Sequence, residues 1–541
     1  MVEITEFLLP VKVLLIEGNV ENAESLLKNK TKQIGLGEND VATINGKARI
    51  VLDFGKEING GIRILTHYIE NGLPVGIRFG ESLTESITPL GVKNSTNDHS
   101  LRDFSVSLPQ LSDGCYGQTG FRFVCLGFAG GKYRIKNVYA RSVYERHNVV
   151  GRFRCDDERL NEIYSVAQKT LLLCLNGGMI WDGIKRDRLV WIGDLHPETL
   201  GLLYTSDENE NVASCIDFGV SETPPEDWMN GHTSYSFWWI LVVCDYYRFT
   251  GDREKVGLYV DYLAKLMANT EKCISENGET NFPNNFLDWP TSGTNDAVIG
   301  CRALLKIAAK KGGELLKSFG LDDFSAREIL RKLSNGKREE PTAKQAVAMD
   351  YLAGDAKKEN ASVKLSAGGA KGLSTFMSYY ILTAVKESCG AKTAVDMMKE
   401  YYGGMLDKGA TTFWEDFDVD WTLGSGRIDE IPQEGQKDVH GDYGKFCYTG
   451  FRHSLCHGWS CGPIAFLTET VLGVKVSNGG KTIEITPSLC GLGFAEGAFP
   501  TPYGKIEIRH RQTESGVETE IIAPKDTEII AKGCKLTRKD L

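Results

Sequence analysis

The chain has no CxxC pair among its 14 cysteines, which are scattered from Cys115 to Cys534. Cysteines spread in this way pack as small core residues, so no disulfide framework is expected and a reducing, cytoplasmic setting is. Long apolar runs are also missing. The longest strongly apolar stretch, Phe237–Cys244, falls far short of the roughly 20 residues that span a bilayer. The opening residues, MVEITEFLLPVKVLLIEGN, put Glu3 and Glu6 ahead of the apolar positions and lack the basic start of a secretion signal. Positive charge is in deficit: the net charge is −10, and no basic patch carries interleaved aromatics. That balance argues against nucleic-acid and membrane partners.

Three cofactor patterns fail as well. GGKT at Gly479–Thr482 has Lys475 where a phosphate-binding loop requires its first Gly. GLGFAEG at 491–497 has the wrong glycine spacing for a dinucleotide fold. Cys447, Cys456 and Cys461 lie near His453 and His457, which stand four residues apart, but there is no HExxH and no zinc-type cysteine spacing. No metal and no cofactor are expected.

What is present divides into three textures. A length of 541 residues exceeds a single core. Residues 1–150 read as β. Short runs such as Ala48–Asp53, Gly61–His67 and Val75–Phe79 are punctuated by Asn59-Gly60-Gly61, Asn71-Gly72 and Gly130-Gly131, the pattern of a β-sandwich. Near Cys155 the period changes. Asp156 or Asp157 can cap a helix whose Leu160, Ile163, Tyr164, Ala167 and Leu171 share one face. Further helices are expected at 234–249, 253–270, 297–318, 323–335, 341–353, 371–388, 391–402 and 454–472, with the polar segment 336–361 outermost. Helices of this length joined by Gly/Asp loops, with no fixed sequence period, predict a closed barrel of α-hairpins over 151–472. From 473 to 541 period-two alternation returns in Thr482–Thr486, Lys505–His510 and Val517–Ile522. The expected fold is multidomain: a central α/α six-hairpin barrel flanked by an N-terminal β-sandwich and a small C-terminal β-sandwich.

The richest chemistry lies in residues 181–198, WDGIKRDRLVWIGDLHPE. Asp182, Asp187, Asp194 and Glu198 alternate there with Lys185, Arg186, Arg188, His196, Trp181 and Trp191. Aromatic faces stack on the C–H face of a sugar ring, and charged groups bond its hydroxyls and exchange protons. The same composition also suits a solvated loop laced with ion pairs. The theme recurs in EDWMNGH (226–232), NFLDWP (285–290), GATTFWEDF (409–417) and SLCHGWS (454–460). Each of these aromatics taken singly is equally at home in a core. Taken together they put Trp beside an acid or His at hairpin loops, which line one end of a closed barrel.

On these residues the chain resembles the inverting α-L-rhamnosidases of glycoside hydrolase family 78. The match rests on Asp182-x3-Arg186-Asp187-Arg188-x2-Trp191-x-Gly193-Asp194, on GATTFWE at Gly409–Glu415, on HGWS at His457–Ser460, and on FGESLTES at Phe79–Ser86. The resemblance implies roles. Asp187 would be the general acid and Glu415 the general base. Asp182, Arg186 and Asp194 would hold rhamnose hydroxyls. Trp191, Trp228, Trp289 and Trp414 would wall the pocket, and His457 would contact the sugar or its carboxylates. The substrate would be a small glycoside or an oligosaccharide. The chain departs from the family where Asp187 replaces the usual Glu and Ile184 a common Pro. Another hairpin-barrel sugar enzyme, such as an unsaturated uronyl hydrolase or a phosphorylase, and a catalytically silent sugar-binding protein are the competing readings. The sequence leaves the oligomeric state open.

Overall fold

The structure, a computed structural model, describes residues 2–30, 40–69, 73–446 and 448–541. The Asn71-Gly72 turn and Cys447 lie outside the described residues.

The N-terminal region is a seven-stranded sheet folded over itself. Its organiser is the 25-residue strand Ala42–Thr66, which pairs with Lys12–Glu21, Asp113–Phe128 and Lys132–Arg146. The register with Asp113–Phe128 breaks between Asp53 and Ile58. Such an irregularity bends a long strand and lets it serve both layers of a sandwich. Ile44, Ile50, Leu52, Ile62, Val75 and Phe121 fill the space between the layers. Between the strands Pro74–Gly80 and Asp103–Ser107 the chain leaves the sheet and runs toward the barrel. The turn at Phe79–Ser86 is fixed by a capping arrangement: Ser82 Oγ accepts from Glu85 N at 3.2 Å, and the Glu85 carboxylate accepts from Glu81 N at 2.8 Å.

Twelve helices of eight or more residues among the described residues make the barrel. Six of them touch in a closed ring, in the order Leu195–Thr205, Thr233–Thr250, Asn295–Ser318, Lys344–Leu352, Ser378–Cys389 and Pro463–Thr470, the last returning to the first. The other six, among them Glu158–Leu173 and Val260–Lys272, form the outer layer. Their single apolar stripe faces inward: Leu160, Ile163, Tyr164, Ala167 and Leu171 are all buried. Asp157 caps that helix, accepting from Arg159 N and Leu160 N.

The helix boundaries differ from expectation where local chemistry intervenes. The segment expected to be helical from 454 is extended or 3₁₀ until Pro463, because its backbone is bonded to neighbouring loops. The helix expected from 371 starts at Ser378, after turns with positive φ at Gly368, Gly369 and Gly372. Arg253–Gly257 and Val260–Lys272 are separate helices. The segment 336–361 is not outermost: Lys344–Leu352 belongs to the inner ring, with Lys344 to Asp350 buried. Leu195–Thr205 and Glu210–Glu222 were not foreseen. All eleven residues of the former are buried, so it shows no polar face to reveal its period.

The C-terminal region packs a three-stranded sheet (Val474–Ser477, Thr482–Ile485, Glu528–Ala531) against a five-stranded one. Arg152–Cys155, which precedes the first barrel helix, completes the latter by pairing with Phe494–Phe499. The architecture is therefore a six-hairpin barrel between two β-rich regions.

Candidate active site

The acid-rich loop 181–194 lies at one end of the barrel, pinned on both sides. Asp182 N and O bond to Leu189 O (3.0 Å) and Gly458 N (2.6 Å), and Asp182 Oδ1 accepts from Leu189 N at 2.9 Å. Gly183 forms an isolated bridge with His457. From the β-sandwich, Gly120 N donates to Ile184 O at 2.9 Å. Held in this way, Asp187 and Arg188 adopt φ of 53° and 58°, left-handed values that each cost a non-glycine residue about 1–3 kcal/mol.

At the centre is Arg186. Its two terminal nitrogens donate to Asp187 Oδ1 at 2.5 Å and Glu415 Oε1 at 2.6 Å. Its Nε donates to Arg452 O at 3.2 Å, and the Tyr448 ring covers the guanidinium at 3.9 Å. One planar guanidinium thus sets the two carboxylates no more than about 7 Å apart. Asp187 Oδ2 also accepts from Trp191 Nε1 at 3.2 Å. Glu415 is fixed by a reciprocal pair: Ser454 N donates to its Oε2, and its own N donates to Ser454 O, both at 3.0 Å.

Three carboxylates surround the His457 imidazole. Its Nε2 lies 3.5 Å from Glu415 Oε1, 3.7 Å from Asp182 Oδ2 and 3.9 Å from Asp194 Oδ2. Burial, with Arg186 nearby, lowers this imidazole to about 3, so the ring is neutral. Burial raises Asp182 and Asp194 well above the usual carboxylate range. The charge of Asp187 adds to this at Asp182, and the carboxylate of Glu198 does so at Asp194. Glu198 is raised for the same reasons and keeps an unpartnered Oε1. The result is a buried group of carboxyls with raised proton affinity and a neutral imidazole around one Arg-bridged pair, suited to holding hydroxyls and moving protons.

The structure brings Asp182, Arg186, Asp187, Trp191, Asp194, Glu415 and His457 into one contact group. Trp289 is on its edge, lining a narrow slot with Asp288, Glu415, Trp459, Phe446 and Tyr448. That slot encloses only about 10 Å³. Trp228 packs on Phe237 and Phe282 and stays outside the hydrogen-bonded group. Trp414 corrects the expectation: its indole is fully buried against Phe417 and His453 and fills core rather than facing a ligand.

Several residues at the site fall within motifs named from the sequence but had no role assigned there. Lys185 is buried between Glu81 (3.3 Å) and Glu85 (2.8 Å) of the β-sandwich, and also donates to Phe451 O and His453 O. Glu81, Glu85 and His440 are spaced as metal ligands are. The Lys185 ammonium and the Arg102 guanidinium, 2.9 Å from Glu85, already neutralise that group. Of the cysteines and histidines that lie near one another in sequence, His453 Nε2 accepts from Asp416 N, and Cys461 Sγ faces Pro197 O. These side chains serve separate partners.

The barrel and its flanking sheets together define the six-hairpin glycosidase fold. Residues 148–300 match the bacterial alpha-L-rhamnosidase 6 hairpin glycosidase domain, and residues 473–531 the bacterial alpha-L-rhamnosidase C-terminal domain. Over these segments the chain is similar to bacterial α-L-rhamnosidases. It is similar to the family 78 rhamnosidase of Bacillus sp. GL1 at 21% identity and a TM-score of 0.74, covering 96% of this chain and 57% of that one. It is similar to the Streptomyces avermitilis α-L-rhamnosidase complexed with L-rhamnose at 15% identity and 0.70, covering 89% and 48%. The Klebsiella oxytoca rhamnosidase with rhamnose bound is 17% identical at 0.68, with 86% and 96% covered. The chain thus spans about half the length of the first two and nearly all of the third. No curated protein matches its sequence.

Proposed function

We propose that the chain is a glycoside hydrolase that removes terminal α-L-rhamnose, or a similar deoxy sugar, from glycosides or oligosaccharides with inversion. The observation that carries this reading is the Asp187–Arg186–Glu415 bridge. Inverting hydrolysis uses one carboxylic acid on the leaving oxygen and one carboxylate on a water at the opposite ring face, roughly 6.5–9.5 Å apart. Through the bridge the facing oxygens of the two carboxylates are no more than about 7 Å apart, an upper limit that reaches the lower end of that range. Asp187 gives its proton to the glycosidic oxygen, and Glu415 takes one from the attacking water. Asp182, Asp194 and His457 hold ring hydroxyls, and Trp191 and Trp289 offer apolar faces to the ring and its methyl group. The bridge of Arg186 fixes the spacing before substrate arrives, so little reorganisation is left for the reaction.

The test is a panel of nitrophenyl glycosides with α-L-rhamnoside first, followed by proton NMR of the nascent sugar. Turnover of the rhamnoside with initial release of the β-anomer supports the reading. Initial release of the α-anomer rejects inversion. Binding of rhamnose without turnover of any glycoside makes the chain a sugar-binding protein instead.

A further inference from the structure

The candidate acid has a third neighbour, and it comes from a different domain. His99 Nε2 lies 3.4 Å from Asp187 Oδ1. His99 belongs to the excursion that leaves the N-terminal sandwich after Phe79–Ser86 and returns at Asp103. This excursion is tied to the barrel at several points. Lys93 pairs with Asp442 at 2.6 Å, Asn94 Nδ2 donates to Thr449 Oγ1 at 2.6 Å, Asp98 pairs with Arg452, and Ser100 Oγ donates to Lys185 O at 3.0 Å. The tethers hold His99 at a left-handed φ of 68°.

Exposure rises outward through the site. The side chain of Glu415 is 2% exposed, that of Asp187 11%, and that of His99 34%. Leu101, two residues on, is among the exposed large apolar side chains. An enzyme that takes a terminal sugar holds it at the closed end, so the leaving group points along this gradient toward solvent. The acid protonates the oxygen between the two. A group that touches the acid from the solvent side is therefore on the leaving-group side.

We propose that His99, supplied by the β-sandwich, is the positioning residue of the leaving-group side. Its imidazole holds the Asp187 carboxyl toward the scissile oxygen, and it hydrogen-bonds the hydroxyl-bearing group that follows that oxygen. The inference rests on the proposed hydrolysis and deepens it: the residue selects for leaving groups that are poor without protonation, such as a second sugar.

The experiment compares wild type, His99→Ala and His99→Gln on 4-nitrophenyl α-L-rhamnoside and on a rhamnosyl-glucose disaccharide. A nitrophenolate leaves with little protonation, whereas a sugar alkoxide does not. His99→Ala is expected to lose about tenfold or more in kcat/KM on the disaccharide and less than about threefold on the nitrophenyl glycoside. His99→Gln keeps an N–H donor at similar reach and is expected to recover most of the loss. Equal losses on both substrates, or none on either, overturn the assignment while leaving the hydrolysis standing. A wild type that cleaves no rhamnoside overturns both.

Discussion

Asp187 and Glu415 are the two ends of one guanidinium bridge, 2.5 and 2.6 Å from the terminal nitrogens of Arg186. Arg186 and Glu415 are 229 residues apart in sequence, so the spacing of the pair is a property of the closed barrel. The bridge is rigid because the fork is planar, is covered by Tyr448 and is anchored through Nε on Arg452 O. The two carboxylates are not equivalent. Glu415 is enclosed and bonded to backbone, and Asp187 stands further out on a strained turn beside Trp191 and His99.

That difference predicts different responses to removal. Glu415→Gln should lose several orders of magnitude in turnover on every glycoside, because neutral water is a poor nucleophile without a base. Asp187→Asn should retain more activity on 4-nitrophenyl α-L-rhamnoside than on a natural rhamnoside. Steady-state kinetics of both variants on both substrates decide the matter. An Asp187→Asn enzyme undiminished on the natural substrate would move the acid role to Asp194 or Glu198.

The parts of the molecule that obey one local rule were legible in the sequence. The helix Glu158–Leu173 shows a 3.6-residue stripe and an Asp cap, and the C-terminal strands alternate in period two. The core of the site was legible because Asp182 to Asp194 is one short loop with a distinctive spacing. Its edges were not. Trp414 was misplaced because adjacency to Glu415 in sequence does not say which way an indole points. His99 and Glu81 were missed because their partners lie in another domain: Leu455 N donates to Glu81 across 374 residues. FGESLTES marked the type of chain, yet nothing in its composition shows that Glu81 and Glu85 receive Lys185.

The Lys185 contact predicts a joint role in stability. Burial pushes the Glu85 carboxyl up, but Arg102 and Lys185 outweigh it and hold the group at about 2. Removing the ammonium takes the ion-pair partner from Glu81, leaves Glu85 with Arg102 and removes one donor from each of Phe451 O and His453 O. Lys185→Met should therefore destabilise by about 3–5 kcal/mol, as breaking a buried ion pair does. Adding Glu81→Gln should restore part of the loss, because Glu81 loses its ion-pair partner with Lys185 while Glu85 keeps Arg102. Urea unfolding of the single and double variants measures both quantities. A single-variant loss under about 1 kcal/mol would mean that Lys185 does not join the sandwich to the barrel.

Asp288 provides the clearest pH dependence. It lies at the edge of the slot, buried, with Oδ1 accepting from Trp289 N at 2.8 Å and Oδ2 from the Ser374 hydroxyl. Burial pushes its carboxyl from 3.8 up to about 7, against the pull of those two bonds. The folded chain therefore keeps a proton that the unfolded chain has released across that window. The stabilisation from this group is complete below about pH 4 and is lost as pH rises through about 7. Asn at this position carries no charge, accepts from Trp289 N through its carbonyl, and can donate to Ser374 once the hydroxyl turns. Asp288→Asn should be close to wild type in stability at about pH 4 or below and already ahead by about 1–2 kcal/mol at pH 5. By pH 8 it should be ahead by an amount of at most about 4 kcal/mol. Urea melts of the two proteins at pH 5, 6.5 and 8 test this directly: a difference that does not change with pH, or one that moves in favour of the wild type as pH rises, refutes it.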